Sequence, residues 1–295
     1  GAEVIMIVTP STAHLPLAEL MAPFLRDGQI VVLNPGRTGG ALEFREALRR
    51  SGTDQRPVIV EAQTFVYASR MINRHRGHIF RVKNGVPVSA LPSHMTPEAQ
   101  GVLNQAFPQF SAGSNVLATS LENIGAIFHP ALTLLNAGWI ESTQGNFEYY
   151  IQGVSPAVAK VLQRVDDERL ALAQALGVRT VSAREWLYLS YDSPGDTLYE
   201  AIRATSGYSG IKAPSTIQHR YIWEDVPMSL VPMASIGRML SVPTPAIDLV
   251  IDLAQMVSEQ DYRSSGRTVR SLGIEGMSVE QIHKLVTDGF VLEGR

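Results

Sequence analysis

The sequence predicts an α/β half followed by an all-α half, with a partial doubly wound sheet in the first. Apolar runs at 4–8 and 30–33 and a third strand over 58–61 alternate with helical patterns, and beyond about Ala112 strand patterns fade while helices dominate. Length agrees: 295 residues suit two domains at about 150 residues each. We therefore expect a sheet domain over 1–112 and a helical domain over 113–295.

The first run, Val4-Ile5-Met6-Ile7-Val8, is continuous rather than alternating. That is the pattern of a strand buried on both faces of a parallel sheet. The β-α-β-α-β order implies right-handed crossovers. Thr9-Pro10-Ser11-Thr12 breaks the first run, and a helical pattern follows over 14–25. The second strand ends at Asn34-Pro35-Gly36, and a helix over 40–50 precedes the third. Runs at 79–82 and 86–91 flank Asn84-Gly85, a pair that favours a two-residue hairpin turn. Thr96-Pro97 supplies an N-cap and a first-turn proline for a helix ending near Phe107-Pro108.

In the second half one long apolar helix is expected over 117–137. Ser155-Pro156 opens another that reaches Gly177, placed as a C′ glycine. Ser182 with Glu185, and Ser278 with Gln281, have capping-box spacing. Pro227, Pro232, Pro243 and Pro245 punctuate the remaining helices.

Composition narrows the function classes. Lys and Arg number 25 against 28 Asp and Glu, a formal net charge of −3, which is no footprint for nucleic acid. There are no cysteines, so disulfides, thiolate nucleophiles and Cys-based zinc sites are excluded. No metal site is expected. No run reaches the ~18 apolar residues of a membrane helix, and the N-terminus lacks a signal-peptide layout. A cytoplasmic protein without a membrane partner is the expectation.

In a doubly wound sheet, ligands bind beyond the carboxyl ends of the strands. Two segments lie there: Thr9-Pro10 with His14 beyond, and Asn34-Pro35-Gly36-Arg37-Thr38-Gly39-Gly40. Glycines at a strand-to-helix turn let a ligand approach the backbone, and helix N-termini favour anions. The same glycines also suit a tight turn with no ligand. No G-x-G-x-x-G fingerprint is present.

Among seven histidines, His75 and His78 lie in a basic stretch with Arg74 and Arg76, His283 on an amphipathic terminal helix, and His219 beside Arg220. His129 differs, interrupting an apolar helical stretch just before Pro130. Asn123 and Asn136 share that stretch, and three buried polar groups in one helix point to a polar cavity. The pattern by itself still favours an ordinary, satisfied core histidine. Glu224-Asp225 could be a plain helix N-cap or a partner for His129.

These same residues carry a resemblance. Asn123, His129-Pro130, Asn136-Ala137-Gly138, Arg220-Tyr221, Glu224-Asp225-Val226-Pro227, the segment from Asn34 to Arg45, and Gly266-Arg267-Thr268 resemble the octopine/nopaline-type opine dehydrogenases. The likeness is strongest to bacterial enzymes making N-(1-carboxyethyl) amino acids, and it spans essentially the whole chain. It implies a Rossmann domain followed by a helical domain like the C-terminal domain of 6-phosphogluconate dehydrogenase. It further implies that the chain begins inside the Rossmann half, without the first βαβ unit and the glycine fingerprint. The implied reaction joins an amino acid amine to a 2-oxo acid such as pyruvate and reduces the imine with NAD or NADP chemistry.

By the same resemblance His129 and Asp225 form the catalytic dyad, and Asn123 and Asn136 contact substrate. Thr9, Pro10, Asn34, Pro35, Gly36, Thr38, Gly39 and Gly40 contact cofactor, and the enzyme is a homodimer. A related two-domain hydroxy-acid reductase, and a chain that binds ligand without turnover, stand as the alternatives.

Overall fold

The computed structural model describes residues 1–289. Five strands form one sheet in the order β1 (Val4–Ile7), β2 (Ile30–Leu33), β3 (Val58–Ala62), β6 (Val86–Leu91), β7 (Phe110–Ala112). β4 (Tyr67–Asn73) and β5 (Arg76–Val82) pair with each other in a separate two-stranded hairpin. β1, β2 and β3 run parallel, with Val4 opposite Ile30 and Ile30 opposite Val58. β6 is antiparallel to β3 and parallel to β7, so the sheet is mixed rather than purely parallel. The helices among these strands are α1 (His14–Met21), α2 (Gly40–Arg50) and α3 (Thr96–Leu103).

The continuous apolar runs follow from burial on both faces. Successive strand residues point to opposite sides, so Val31, Leu33 and Ile59 join one core while Ile30, Val32, Val58 and Val60 join the other. The first core continues into the helical half, where it takes in Ile127, Leu132, Leu162, Val231 and Ile251. The second is closed by Ala99 and Leu103 of α3. β1 departs from the expectation: it lies at the sheet edge, and three of its four residues are only half-buried.

The expected hairpin at Asn84-Gly85 does not form. β5 turns back on β4 through Arg74-His75, while β6 enters the main sheet beside β3. A turn dipeptide sets local geometry, but burial of Val86, Val88 and Ala90 decides the partner of β6. Thr96 is not a cap either, because its hydroxyl accepts from the amide of Ala90.

After Ala112 every described helix or strand element is helical. These are α4 (Val116–Leu121), α5 (Ile124–Leu135), α6 (Ala137–Thr143), α7 (Pro156–Ala175), α8 (Ala183–Tyr191), α9 (Leu198–Ala204), α10 (Arg220–Trp223), α11 (Val231–Leu240), α12 (Pro245–Ser258), α13 (Tyr262–Ser265) and α14 (Val279–Asp288). The single helix expected over 117–137 is three helices. The chain turns at Glu122-Asn123 and again at Asn136, whose φ and ψ leave the helical region. The caps at Ser155, Ser182 and Ser278 form as expected, and Gly177 has φ +65°.

The last part of the chain folds back onto the sheet half. Arg267, fully buried, bonds Glu43 at 2.7 Å, the carbonyls of Gly36 and Thr38, and Nδ1 of His14 at 3.1 Å. His14 is therefore a buried acceptor for Arg267 through Nδ1 and does not line the cleft described below. Burial, then the charges of Arg267 and Arg37, lower its pKa to about 2.

A ring that ionises near 6.5 when unfolded but stays neutral when folded favours the unfolded state as pH falls below 6.5. We expect the stability advantage of the wild type over His14→Gln to shrink by about 1.4 kcal/mol per pH unit below 6.5. Urea titrations of the two proteins between pH 7 and 5 read this difference directly.

Candidate active site

A cleft of about 760 Å³ opens between the sheet and the helices, with the β4–β5 hairpin as one wall. His129 lies on it, projected from α5 next to Pro130. A proline inside a helix cannot donate to the carbonyl four residues back. The His129 carbonyl accepts from the Tyr149 hydroxyl at 3.0 Å. The imidazole stacks on Tyr221, centroids 3.9 Å apart and planes 18° from parallel.

His129 Nδ1 and Asp225 Oδ2 are 2.7 Å apart, although 96 residues separate them in sequence. Asp225 is wholly buried at the junction of α10 with a π-helical turn, Val226–Leu230. Burial pushes its carboxyl up, but Arg37 and then His129 outweigh burial and hold it below the usual range. An ionised carboxylate only accepts, so Nδ1 carries the proton and Nε2 is the free base. The Tyr150 hydroxyl, 3.2 Å from Nε2, donates to it. Burial among other tyrosines keeps that phenol protonated. Burial also holds the His129 ring below its ordinary pKa, against the pull of Asp225. The imidazole at neutral pH is thus neutral, with its Nε2 lone pair turned to the Tyr150 hydroxyl.

Arg37 ties this dyad to the sheet half. Its guanidinium lies 3.0 Å from Asp225 Oδ1 and 3.3 Å from Glu224 Oε1, and donates to Asn123 Oδ1 at 3.3 Å. Asn123 passes the chain on to Ser229 at 2.7 Å. Glu224 also takes Arg220 at 2.7 Å, and both the amide and hydroxyl of Ser11 at 3.1 Å. Neither acid caps a helix with its side chain. Gly125 makes room for this packing, since a Cβ there would sit 2.9 Å from Arg37 Nη1 and 3.2 Å from the His129 ring.

The other expected site residues divide. Asn123 and Pro35 line the cleft. Asn136 does not: its amide donates to the carbonyls of Leu132 and Gly153, bracing the turn between α5 and α6. Gly36, Thr38, Gly39 and Gly40 are buried in the seam between the halves and do not line the cleft. Thr38 bonds the Ser120 carbonyl, and the Gly39 amide bonds the Ser120 hydroxyl. Gly39, at φ +76°, packs where a Cβ would meet Leu272, and a Cβ on Gly36 would overlap Glu61.

Asn34 and Thr9 keep a different character. Thr9 Oγ1 and Asn34 Oδ1 are buried without a hydrogen-bond partner, at the carboxyl ends of adjacent parallel strands. Buried polar atoms are normally satisfied, and unmet acceptors at this end of a parallel sheet fit a nucleotide ligand. Pro10, beside Thr9, is exposed.

Tyr150 and Lys83 escape a reading of the sequence for this site, and Arg37 and Tyr221 appear in it only within longer motifs, without a role. The left-handed backbone of Arg37, φ 61°, gives no signal in residue type, and the tyrosines look like ordinary core aromatics.

His129, held by a buried aspartate, thus stands on the cleft between a mixed sheet and a helical half, an arrangement fit for proton transfer to a bound substrate. Residues 112–258 match the family described as NAD/NADP octopine/nopaline dehydrogenase, alpha-helical domain. Opine dehydrogenase of Arthrobacter sp. (strain 1C) is 38% identical over 285 residues, covering 97% of this chain and 79% of that protein. Protein ocs of Agrobacterium tumefaciens (strain Ach5) is 26% identical, covering 96% and 78%. The structure of octopine dehydrogenase in complex with NADH and agmatine shares the fold, with a TM-score of 0.79 at 20% identity over 100% of this chain and 80% of that one. The chain belongs to the octopine/nopaline dehydrogenase family.

Removing one partner from a buried ion cluster leaves uncompensated charge, at about 3–5 kcal/mol. Arg37→Met is expected to lower the unfolding free energy by that amount, measured by denaturant titration.

Proposed function

We propose that this enzyme joins the amine of an amino acid to a 2-oxo acid of the pyruvate kind and reduces the resulting imine, with His129 and Asp225 as its proton-transfer pair. The observation that carries the reading is the 2.7 Å contact between the His129 ring and a wholly buried Asp225 at the wall of the cleft. The family is NAD- or NADP-dependent. Thr9, Pro10, Asn34 and Pro35 are the residues that would hold the nucleotide. NADH or NADPH, when bound, supplies the hydride for the imine carbon.

Condensation needs an unprotonated amine, and the carbinolamine must lose water. A neutral imidazole can take a proton at Nε2 and return it to the departing hydroxyl. Asp225 fixes the ring through Nδ1–H and favours the imidazolium formed in passing. Arg37 keeps Asp225 ionised, so the tautomer that leaves Nε2 free is maintained. Tyr150 and the tyrosine stack exclude water from the ring, and Asn123 presents its side chain on the same wall. Residues 1–112 serve as the nucleotide half and 113–295 as the catalytic half. A homodimer in the cytoplasm belongs to the same proposal, and the cysteine-free composition suits a reducing compartment.

The decisive assay combines NADH or NADPH, pyruvate and a panel of amino acids, following absorbance of the reduced nicotinamide. Amine-dependent oxidation is expected. Amine-independent oxidation would show a hydroxy-acid reductase instead, and absence of nucleotide binding would show a non-catalytic chain. His129→Ala is expected to abolish turnover while nucleotide affinity stays within about twofold of wild type. Retention of most activity would remove His129 from its role. The lowered ring pKa also has a sign: raising pH through it frees the base, so kcat/KM should rise along an acid limb centred below 6.5. With the amino acid saturating and the 2-oxo acid varied, absence of any limb below 6.5 would contradict a desolvated base.

A further inference from the structure

Lys83 follows β5 and turns back under the cleft. Its side chain is nearly buried, 6% exposed, yet it lies on the cleft wall with Arg37, Gln63, Asn123 and His129. The ammonium donates to Thr64 Oγ1 at 2.9 Å and to the Phe65 carbonyl at 2.7 Å. Both acceptors are neutral, and an ammonium has three donors. Arg37 and Arg220, the other buried or half-buried cations on this wall, are already committed to Glu224 and Asp225. Among the described residues Lys83 makes no ion pair, and Glu122, the carboxylate on the wall, is not its partner. A buried cation held only by neutral groups is costly unless an anion completes it.

The reaction brings two such anions to this cleft. Both the 2-oxo acid and the amino acid carry a carboxylate, and the product carries both. We propose that Lys83 is a substrate-carboxylate anchor, its remaining N–H directed to the carboxylate of one reactant while Thr64 and Phe65 hold the ammonium in place. This rests on the reaction assigned above and adds a specificity-determining residue to it. Burial, with the charge of Arg37 adding to it, lowers the Lys83 pKa to about 7. A bound carboxylate favours the charged form, so anion binding restores the charge that burial discourages. The carboxylate then gains a charge-assisted hydrogen bond in a site shielded from water.

The test compares acid with amide. Wild type and Lys83→Met are assayed with pyruvate against pyruvamide, and separately with each amino acid against its amide, at saturating nucleotide. A structural role for Lys83 would lower all rates without altering preference, whereas an anchor alters preference itself. In Lys83→Met the acid-to-amide ratio of kcat/KM should fall at least about tenfold for one reactant, mostly through KM. That reactant is the one whose carboxylate Lys83 holds. Lys83→Arg should recover part of the lost preference. If Lys83→Met does not fold, Lys83→Gln, whose amide can still donate to the Phe65 carbonyl, gives the same comparison. Unchanged ratios for both reactants would overturn the proposal. Wild-type turnover in the same assay reports separately on the underlying reaction, since its loss is seen before any variant is made.

Discussion

The guanidinium of Arg37 is the constraint on which the site depends. It comes from the loop after β2, yet its partners, Asn123, Glu224 and Asp225, all belong to the helical half. Two adjacent carboxylates buried this deeply are costly without a cation between them. Arg37 supplies it, and Arg220 shares the load on Glu224. Ser11 adds two neutral donors from the loop after β1. The catalytic geometry and the docking of the two halves therefore rest on the same charges. A shift of the sheet half relative to the helices would disturb the tautomer of His129 as directly as a mutation beside it.

A second seam, built on Glu61 and Arg267, holds the halves together from the other side of the strand ends. Glu61 accepts from the amide of Ala41 and from the hydroxyls of Thr119 and Ser120, while burial raises its pKa to about 7. Arg267 reaches back to Glu43 and to the carbonyls around the glycine-rich turn. Two of the glycines in that turn follow from close packing: a Cβ on Gly36 would overlap the Glu61 side chain, and one on Gly39 would overlap Leu272.

Much of the secondary structure was legible because it obeys local rules. Two-faced burial wrote β2 and β3 as unbroken apolar runs, and the Ser-x-x-Glu and Ser-x-x-Gln caps named two helix starts. What failed was non-local. Asn84-Gly85 looked like a hairpin, but the partner of β6 is chosen by the core beneath it. Apolar periodicity ran straight through Glu122-Asn123, where tertiary hydrogen bonds to Asn123 break the helix. The pairing of His129 with Asp225 could not come from spacing across 96 positions, and was reached through resemblance to a family. Asn136 shared the polar-in-apolar signal of His129 but spends it on two backbone carbonyls. Lys83 carried no signal, and Arg37 was visible only as part of the loop after β2, since each takes its meaning from groups far along the chain.

The β4–β5 hairpin stands apart from the rest of the molecule. Tyr67, Ile79 and Phe80 are 40%, 54% and 41% exposed and lie over the cleft, and none of them belongs to either apolar core. Among the described side chains, Arg81 ties it to the helical half, reaching Asp192 at 3.2 Å and the Tyr191 carbonyl at 3.4 Å. Swinging this arm outward would disturb few of the described buried contacts, whereas prising the two halves apart would break the ion cluster around Arg37. Traffic into and out of the cleft thus has its cheapest route past the arm, with the chemistry behind it left standing.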